Sequence, residues 1–300
     1  MRAFKQAAQC LPQALAQPLL ALPGALMSGV TQIRLRACQP AVLCAADGVW
    51  YPCADGTARR EPGPGCLRIS KALLAECFHA VCGYSLHAVQ HEVDQGFVTL
   101  AGGHRVGVCG RMAQLEGARW CVRDITSMNV RIARTVMCAV PPGLERPGPD
   151  GLLIAGAPGS GKTTLLRSLA ARWAASGACV AVVDERRELF PDVEGRPLHC
   201  DVFSGYPKHI GMMQALRAFS PDVIVCDEIG SQQDARAVEQ AANAGVRIAA
   251  TIHAASPASL ARRPQFCALA QTGAFGRVVF LRGAGAPGAV AEVRDVADCL

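Results

Sequence analysis

Gly156-Ala157-Pro158-Gly159-Ser160-Gly161-Lys162-Thr163 is the stretch of this chain whose residue types and order carry the most chemistry. Its glycines let a backbone bend through conformations that a side chain would obstruct, with successive N–H groups turned inward. A ring of inward N–H donors is a cradle for an anion. Leu152 to Ala155 before it is a short apolar run suited to a buried strand, and Thr163 to Trp173 after it reads as a helix. The helix start turns its unpaired N–H groups and its dipole toward the same anion, with Thr164 included in the contact set. Lys162 would reach the outer phosphates as a compact charge, and the Thr163 hydroxyl would ligate Mg2+. The whole stretch fits G-x-x-x-x-G-K-[ST], the phosphate-binding loop of nucleoside triphosphatases.

A second chemical element lies 65 residues after Lys162, where Pro221 to Glu228 is an apolar strand ending in two acids. Asp227 at the strand end can hold Mg2+ directly or through water, and Glu228 is placed to orient or deprotonate an attacking water. A nucleotide kinase, which must exclude water, has no use for that glutamate, so the pair favours hydrolysis. Ile248 to His253 is another strand with polar residues at its end, and Thr251 or His253 would lie near the outermost phosphate. Val180 to Val183 runs into Asp184-Glu185-Arg186-Arg187-Glu188. There Glu185 or Glu188 would meet the water shell of magnesium and Arg186 would touch phosphate, unless the segment is a solvated, salt-bridged loop.

These residues need a scaffold that brings strand ends together. Apolar runs recur at 152–155, 179–183, 223–226, 246–250 and 278–281 between helical stretches. Such alternation predicts a largely parallel sheet covered by helices on both faces, with ligands at the carboxyl ends of the strands. Residues 141–150 hold four prolines and two glycines, a break that continues neither helix nor central strand. The predicted organisation is therefore residues 1–140, a 141–150 linker, and a 151–300 α/β domain. In the first part, residues 3–16 read as one amphipathic helix and Val30 to Arg36 as a half-buried strand. Residues 41–45 and 49–51 read as a hairpin around Asp47-Gly48, and 97–100 with 104–109 as another. Ser70 and Ser85 read as helix caps, and residues 120–125 as a strand. That mixture predicts a smaller α+β domain.

The 300 residues carry a net charge of +6, which permits contact with anionic partners but demands none. Aromatic residues make up 5% of the chain and are scattered, against the stacking platform of a nucleic-acid binder whose ATP cycle would act on DNA or RNA. A non-hydrolysing nucleotide-dependent scaffold is the other alternative, and Glu228 speaks against it. No apolar run approaches the ~20 residues of a membrane span, and the N-terminal region is poor signal-peptide material, so a cytosolic protein is expected. Fifteen cysteines, an odd number with no C-x-x-C pair, predict no disulfide framework. Several, Cys179 and Cys226 among them, read as small buried hydrophobes. Zinc at His79 with Cys82, or at His87 with His91, is weaker than a solvated helix face.

Leu216-Arg217, Ser220 to Ile229 and Ala249 to Ala254 resemble the acidic-strand and histidine boxes of the type II and type IV secretion and pilus-retraction ATPases. The chain as a whole more closely resembles the stage III sporulation AA proteins of endospore-forming bacteria. That resemblance rests on residues 33–37, 96–107, 129–134, 183–186, 205–208 and 211–213. It implies a RecA-like P-loop core and a mother-cell cytoplasmic ATPase that energises assembly or transport at the channel joining mother cell and forespore. It further implies ATP and Mg2+ as ligands, membrane channel proteins as partners, and a ring, a hexamer, with nucleotide between subunits. Carried over, Lys162 and Thr163 match the nucleotide loop, Asp227 and Glu228 the strand-end acids, His253 the histidine box, and Glu185 roughly the acidic box. The secretion ATPases usually place an arginine two residues after the glutamate, where this chain has Gly230. A cation supplied in trans would come from Arg105, Arg111, Arg123, Arg131 or Arg134. The last two are preferred because their three-residue spacing predicts one helix face near the linker.

Overall fold

A computed structural model describes residues 1–114, 120–191 and 196–300. The chain divides into two compact units, Met1–Arg134 and Thr135–Leu300. The division lies upstream of the Pro/Gly-rich stretch 141–150, which belongs to the second unit.

The first unit opens with α1 (Arg2–Gln9), α2 (Gln13–Leu20) and α3 (Gly24–Gly29). The single helix expected over 3–16 is two helices, because Pro12 has no N–H to give and disfavours a helical Leu11 before it. Strands β1 (Val30–Arg36), β2 (Gln39–Pro40), β3 (Val42–Ala45), β4 (Gly48–Pro52), β5 (Ala58–Arg59) and β6 (Arg68–Ile69) follow. Next come α4 (Lys71–Val81) and α5 (Leu86–Asp94), then β7 (Phe97–Thr99), β8 (Arg105–Gln114) and β9 (Trp120–Arg131). Ser70 caps α4 by accepting from the Leu73 N–H, whereas the Ser85 side chain makes no cap bond. Seven strands form one antiparallel sheet in the order β5-β4-β3-β1-β9-β8-β7. Alternate residues of β1 and β9 (Ile33, Leu35, Met128, Val130) bury one face of it against Phe4, Leu15, Leu19 and Leu74 of the helices.

Arg131 and Arg134 do not share a helix face. Arg131 is the last residue of β9, paired with Gln32 and Arg105, and Arg134 follows outside any helix or strand, its guanidinium donating to the Val30 carbonyl at 2.7 Å. The alternation of β9 continues through Met128 and Val130, so strand pairing wins over the three-residue coincidence.

The second unit is built from β10 (Gly151–Gly156), α6 (Lys162–Ala175), β11 (Val180–Asp184), β12 (Cys200–Ser204), α7 (Lys208–Ala218), β13 (Val223–Cys226) and α8 (Gln232–Asn243). It continues through β14 (Arg247–His253), α9 (Pro257–Ala261), α10 (Pro264–Gln271), β15 (Phe275–Leu281) and β16 (Val290–Asp295). The sheet runs β12-β11-β13-β14-β10-β15-β16 and is parallel except for the edge hairpin β15–β16. Leu153 and Ala155 face one apolar layer with Met212, Val238 and Phe266, while Leu152 and Ile154 face another with Leu165, Leu169 and Trp173. Burial on both faces explains why these strands are continuous apolar runs rather than alternating ones. Leu144 is buried, and its carbonyl accepts from the Trp173 indole at 2.8 Å, fastening the 141–150 stretch to α6.

Candidate active site

Register alone assembles the chemistry. Gly156 of β10 pairs with His253 of β14, Ala250 of β14 with Cys226 of β13, and Cys226 with Val183 of β11. The glycine-rich loop, the histidine, the acids Asp227 and Glu228 and the 184–188 segment therefore leave the sheet side by side at the carboxyl ends of neighbouring strands.

Gly159 and Gly161 take φ of 75° and 89°, left-handed values that a side chain disfavours. A Cβ on Gly161 would also lie 2.4 Å from the Gly288 nitrogen, and one on Gly156 would lie 2.3 Å from the Ser160 hydroxyl. Gly288, in the turn joining β15 to β16, donates to the Ser160 carbonyl at 2.8 Å. The loop is thus a close-fitted bend between α6 and that turn. The Ser160 hydroxyl is buried and, among the described residues, has no hydrogen-bond partner. Ala157, Pro158 and Gly159 form the loop's outer arc, and Thr164 lies in the first turn of α6.

Lys162 is buried at the loop's end. Its ammonium donates to the carbonyls of Gly156 (3.0 Å) and Ala157 (3.1 Å) and meets His253 Nδ1 at 3.1 Å. Burial lowers its pKa, and the charges of Asp227 and Glu228 oppose that fall. His253 Nε2 lies 3.3 Å from Glu228 Oε2. One imidazole therefore links the loop lysine to the strand-end glutamate. A lysine can only donate, so Nδ1 accepts and Nε2 carries the proton toward the carboxylate.

Thr163 Oγ1 donates to Asp227 Oδ2 at 3.4 Å. The other Asp227 oxygen accepts from Thr251 Oγ1 at 2.5 Å and from the Glu228 N–H at 3.0 Å. Thr251 is fully buried, and its oxygen also accepts from the Glu228 N–H at 3.0 Å. One hydroxyl thus fixes both the carboxylate of the first acid and the backbone of the second. A hydroxyl and a carboxylate are hard oxygen donors, the set Mg2+ takes when waters and substrate phosphates complete its shell. Among the described residues no three His, Cys, Asp or Glu side chains gather as a metal cluster, at the His79/Cys82 and His87/His91 pairs or elsewhere.

The segment after β11 is held differently. Asp184 is buried and accepts from the N–H groups of Glu188, Leu189 and Phe190 at 2.8–3.0 Å, a local cap that leaves it little else to do. Glu185 pairs with the nearly buried Lys208 of α7 at 2.6 Å. Arg186 is exposed, and the Glu188 carbonyl is taken by Arg167. Arg167, on the buried side of α6, spreads its guanidinium over three carbonyls, those of Val136, Glu188 and Leu189.

The residues brought together are Lys162, Thr163, Asp227, Glu228, Thr251 and His253, with Glu185 at the next strand end. Arg131 and Arg134 belong to the first unit, where Arg111 faces Asp124 at 3.5 Å and Arg105 stacks 3.8 Å over Phe97. Lys208 and Arg167 were not expected from the sequence. The signal for Arg167 was a basic residue inside the apolar run Leu165-Leu166-Arg167-Ser168-Leu169. At Gly230 a Cβ would meet nothing within 4 Å, so the absent arginine leaves open space.

A family model described as sporulation stage III, protein AA, matches residues 9–298. The chain belongs to this family. Stage III sporulation protein AA of Bacillus subtilis (strain 168) is 33% identical over 306 residues, covering 97% of this chain and 95% of that protein. Protein SEEDLING PLASTID DEVELOPMENT 1 of Arabidopsis thaliana is 28% identical over 169 residues, 54% of this chain and 23% of that protein. The fold is shared with two solved structures. The Legionella pneumophila ATPase DotB superposes with a TM-score of 0.52 at 18% identity, covering 84% of this chain and 72% of that one. The pilus retraction motor PilT with bound ADP superposes with a TM-score of 0.55 at 16% identity, covering 84% and 74%. The fold is thus the RecA-like P-loop core with a preceding α+β unit. No described helix is long and apolar enough to cross a membrane.

Proposed function

We propose that this chain is a Mg2+-dependent ATPase that works as a ring, a hexamer, on the mother-cell side of the forespore boundary. In this reading it energises assembly or transport through a membrane channel contributed by other sporulation proteins. The observation that carries the hydrolytic part is the Lys162–His253–Glu228 chain beside Thr163 and Asp227. It brings a phosphate-reaching cation and a water-directing carboxylate within one imidazole of each other.

Residues 156–164 would wrap the phosphates with N–H groups. Lys162 would exchange its loop carbonyls for phosphate oxygens. Thr163 and Asp227 would hold Mg2+, which when bound neutralises charge on the phosphates. Glu228 would orient the attacking water and accept its proton, with its backbone held by Thr251 and its carboxylate by His253. Glu185, tethered by Lys208, would face the metal's water shell. A cation from a neighbouring copy would complete the site, with Arg131 and Arg134 the candidates on this chain.

The test is nucleotide hydrolysis by purified Lys162→Ala and Glu228→Gln variants. Both are expected to lose turnover while their circular dichroism and melting stay near wild type, and Glu228→Gln is expected to keep nucleotide affinity. Unchanged turnover in either variant sinks the hydrolytic assignment. The family membership also supports the sporulation role, which a separate experiment addresses: replacing the sporulating cell's own copy with Glu228→Gln is expected to stop sporulation at the stage the deletion does.

A further inference from the structure

Away from the candidate site, Cys53 and Cys66 face each other across an isolated antiparallel bridge in the first unit. The flanking bonds run from Leu67 N–H to the Pro52 carbonyl at 2.8 Å and from Ala54 N–H to the Gly65 carbonyl at 3.0 Å. Bonds on both sides and none between the two make Cys53 and Cys66 a non-hydrogen-bonded pair. At such a pair antiparallel backbones approach to a Cα separation of about 4.5 Å. Disulfides accept Cα separations from about 4.4 Å upward. The two free sulfurs already lie 3.6 Å apart, buried from all but a sliver of solvent. Side-chain rotation therefore suffices to bring them to bonding distance.

We infer that Cys53 and Cys66 form a reversible thiol–disulfide site, oxidised by a small-molecule disulfide, that clamps the 53–66 loop. Cys66, the more accessible of the two, would lose its proton and attack one sulfur of the small disulfide, expelling a small thiolate. Cys53 would then lose its proton and attack the Cys66 sulfur of the mixed disulfide, expelling the second small thiolate. The protein gives up two electrons and two protons, and the small disulfide becomes two thiols. Burial, followed by its bond to Cys66, raises the Cys53 pKa and keeps it in the thiol form, so it does not make the first attack. What the bond would fasten is the sheet's edge. β5 lies within the loop and is only two residues long, and beside it Arg60 stacks 3.7 Å over Trp50 and pairs with Asp47 at 2.6 Å.

The test is to treat the full chain at pH 8 with oxidised glutathione, alkylate the remaining thiols, and map peptides without reduction. The expected product is a Cys53–Cys66 linked peptide pair lighter by two hydrogens, absent after dithiothreitol, with slower proteolysis between residues 54 and 65. Exposed Cys38, Cys109 and Cys179 are expected to carry single glutathione adducts instead. In Cys53→Ala, Cys66 is expected to stop at the glutathione adduct, because its resolving partner is gone. The wild-type map stands by itself if that variant folds poorly. The inference is overturned if wild-type Cys66 accumulates glutathione, if both thiols stay reduced while the exposed ones react, or if either bonds a different cysteine.

Discussion

At the scale of single residues, the site depends on side chains that hold other side chains. Thr251 is the clearest. Thr251→Val keeps the shape but takes one of two partners from the Glu228 N–H and one of two from an Asp227 oxygen, which are left bonded only to each other, at a cost of about 1 kcal/mol. Turnover is expected to drop with the melting temperature, and Thr251→Ser is expected to restore both; full turnover in the valine variant would remove Thr251 from the mechanism. Cysteine chemistry divides in the same local way. Burial pushes the thiols of Cys77, Cys200 and Cys226 up to about 12, so at pH 8 only ~10⁻⁴ of each is thiolate. Iodoacetamide at pH 8 is expected to label exposed Cys38, Cys109 and Cys179 and spare those three. Their raised values also mean that the folded chain keeps protons an unfolded one releases near pH 9. Stability is full below that pH and declines as pH climbs toward 12, which an alkaline series of thermal melts checks. The expectation of a buried Cys179 fails because it precedes β11 and is exposed, whereas Cys226 lies inside β13. The acids, the lysine and the histidine were legible because their chemistry demands fixed local order. Lys208 and Arg167 were not, since their partners lie 23 and 21–31 residues away and meet them only through the fold.

At the scale of elements, the parallel sheet was readable because strands buried on both faces leave continuous apolar runs. Strands with one wet face were harder. β12 reads Cys-Asp-Val-Phe-Ser with its charge outward at the sheet edge, and no apolar run marks it. The Arg131–Arg134 spacing fits a helix turn as well as a strand end, and only pairing with β1 and β8 decides between them. Arg167 shows how elements are locked together. It ties α6 to the segments at Val136 and at 188–189, so Arg167→Met leaves three carbonyls without their donor. The expected cost is about 3–5 kcal/mol, read in denaturant melts, with nucleotide affinity falling as the loop before α6 loosens. Gly161→Ala acts on the same joint from the other side. A left-handed φ and a backbone atom 2.4 Å from the new Cβ leave it no room, so calorimetric nucleotide binding is expected to be lost.

At the scale of the whole molecule, two units of different construction share one chain, an antiparallel sheet before a parallel one. The prolines of 141–150 marked a discontinuity, yet that stretch packs on α6, because Leu144 has an apolar pocket and an indole donor waiting for it. If a neighbouring copy supplies the missing cation, turnover per chain is expected to rise steeply with protein concentration, in step with mass measured by light scattering in the presence of nucleotide. Full activity in a dilute monomer would dispose of that arrangement. The turn between β15 and β16 bears on all such work. Because Gly288 props the rear of the glycine bend through the Ser160 carbonyl, a chain cut short at Leu281 would keep every residue of the recognised motifs and still lose the buttress that gives the bend its curvature. A fragment made to keep the glycine bend must therefore extend to the last edge strand.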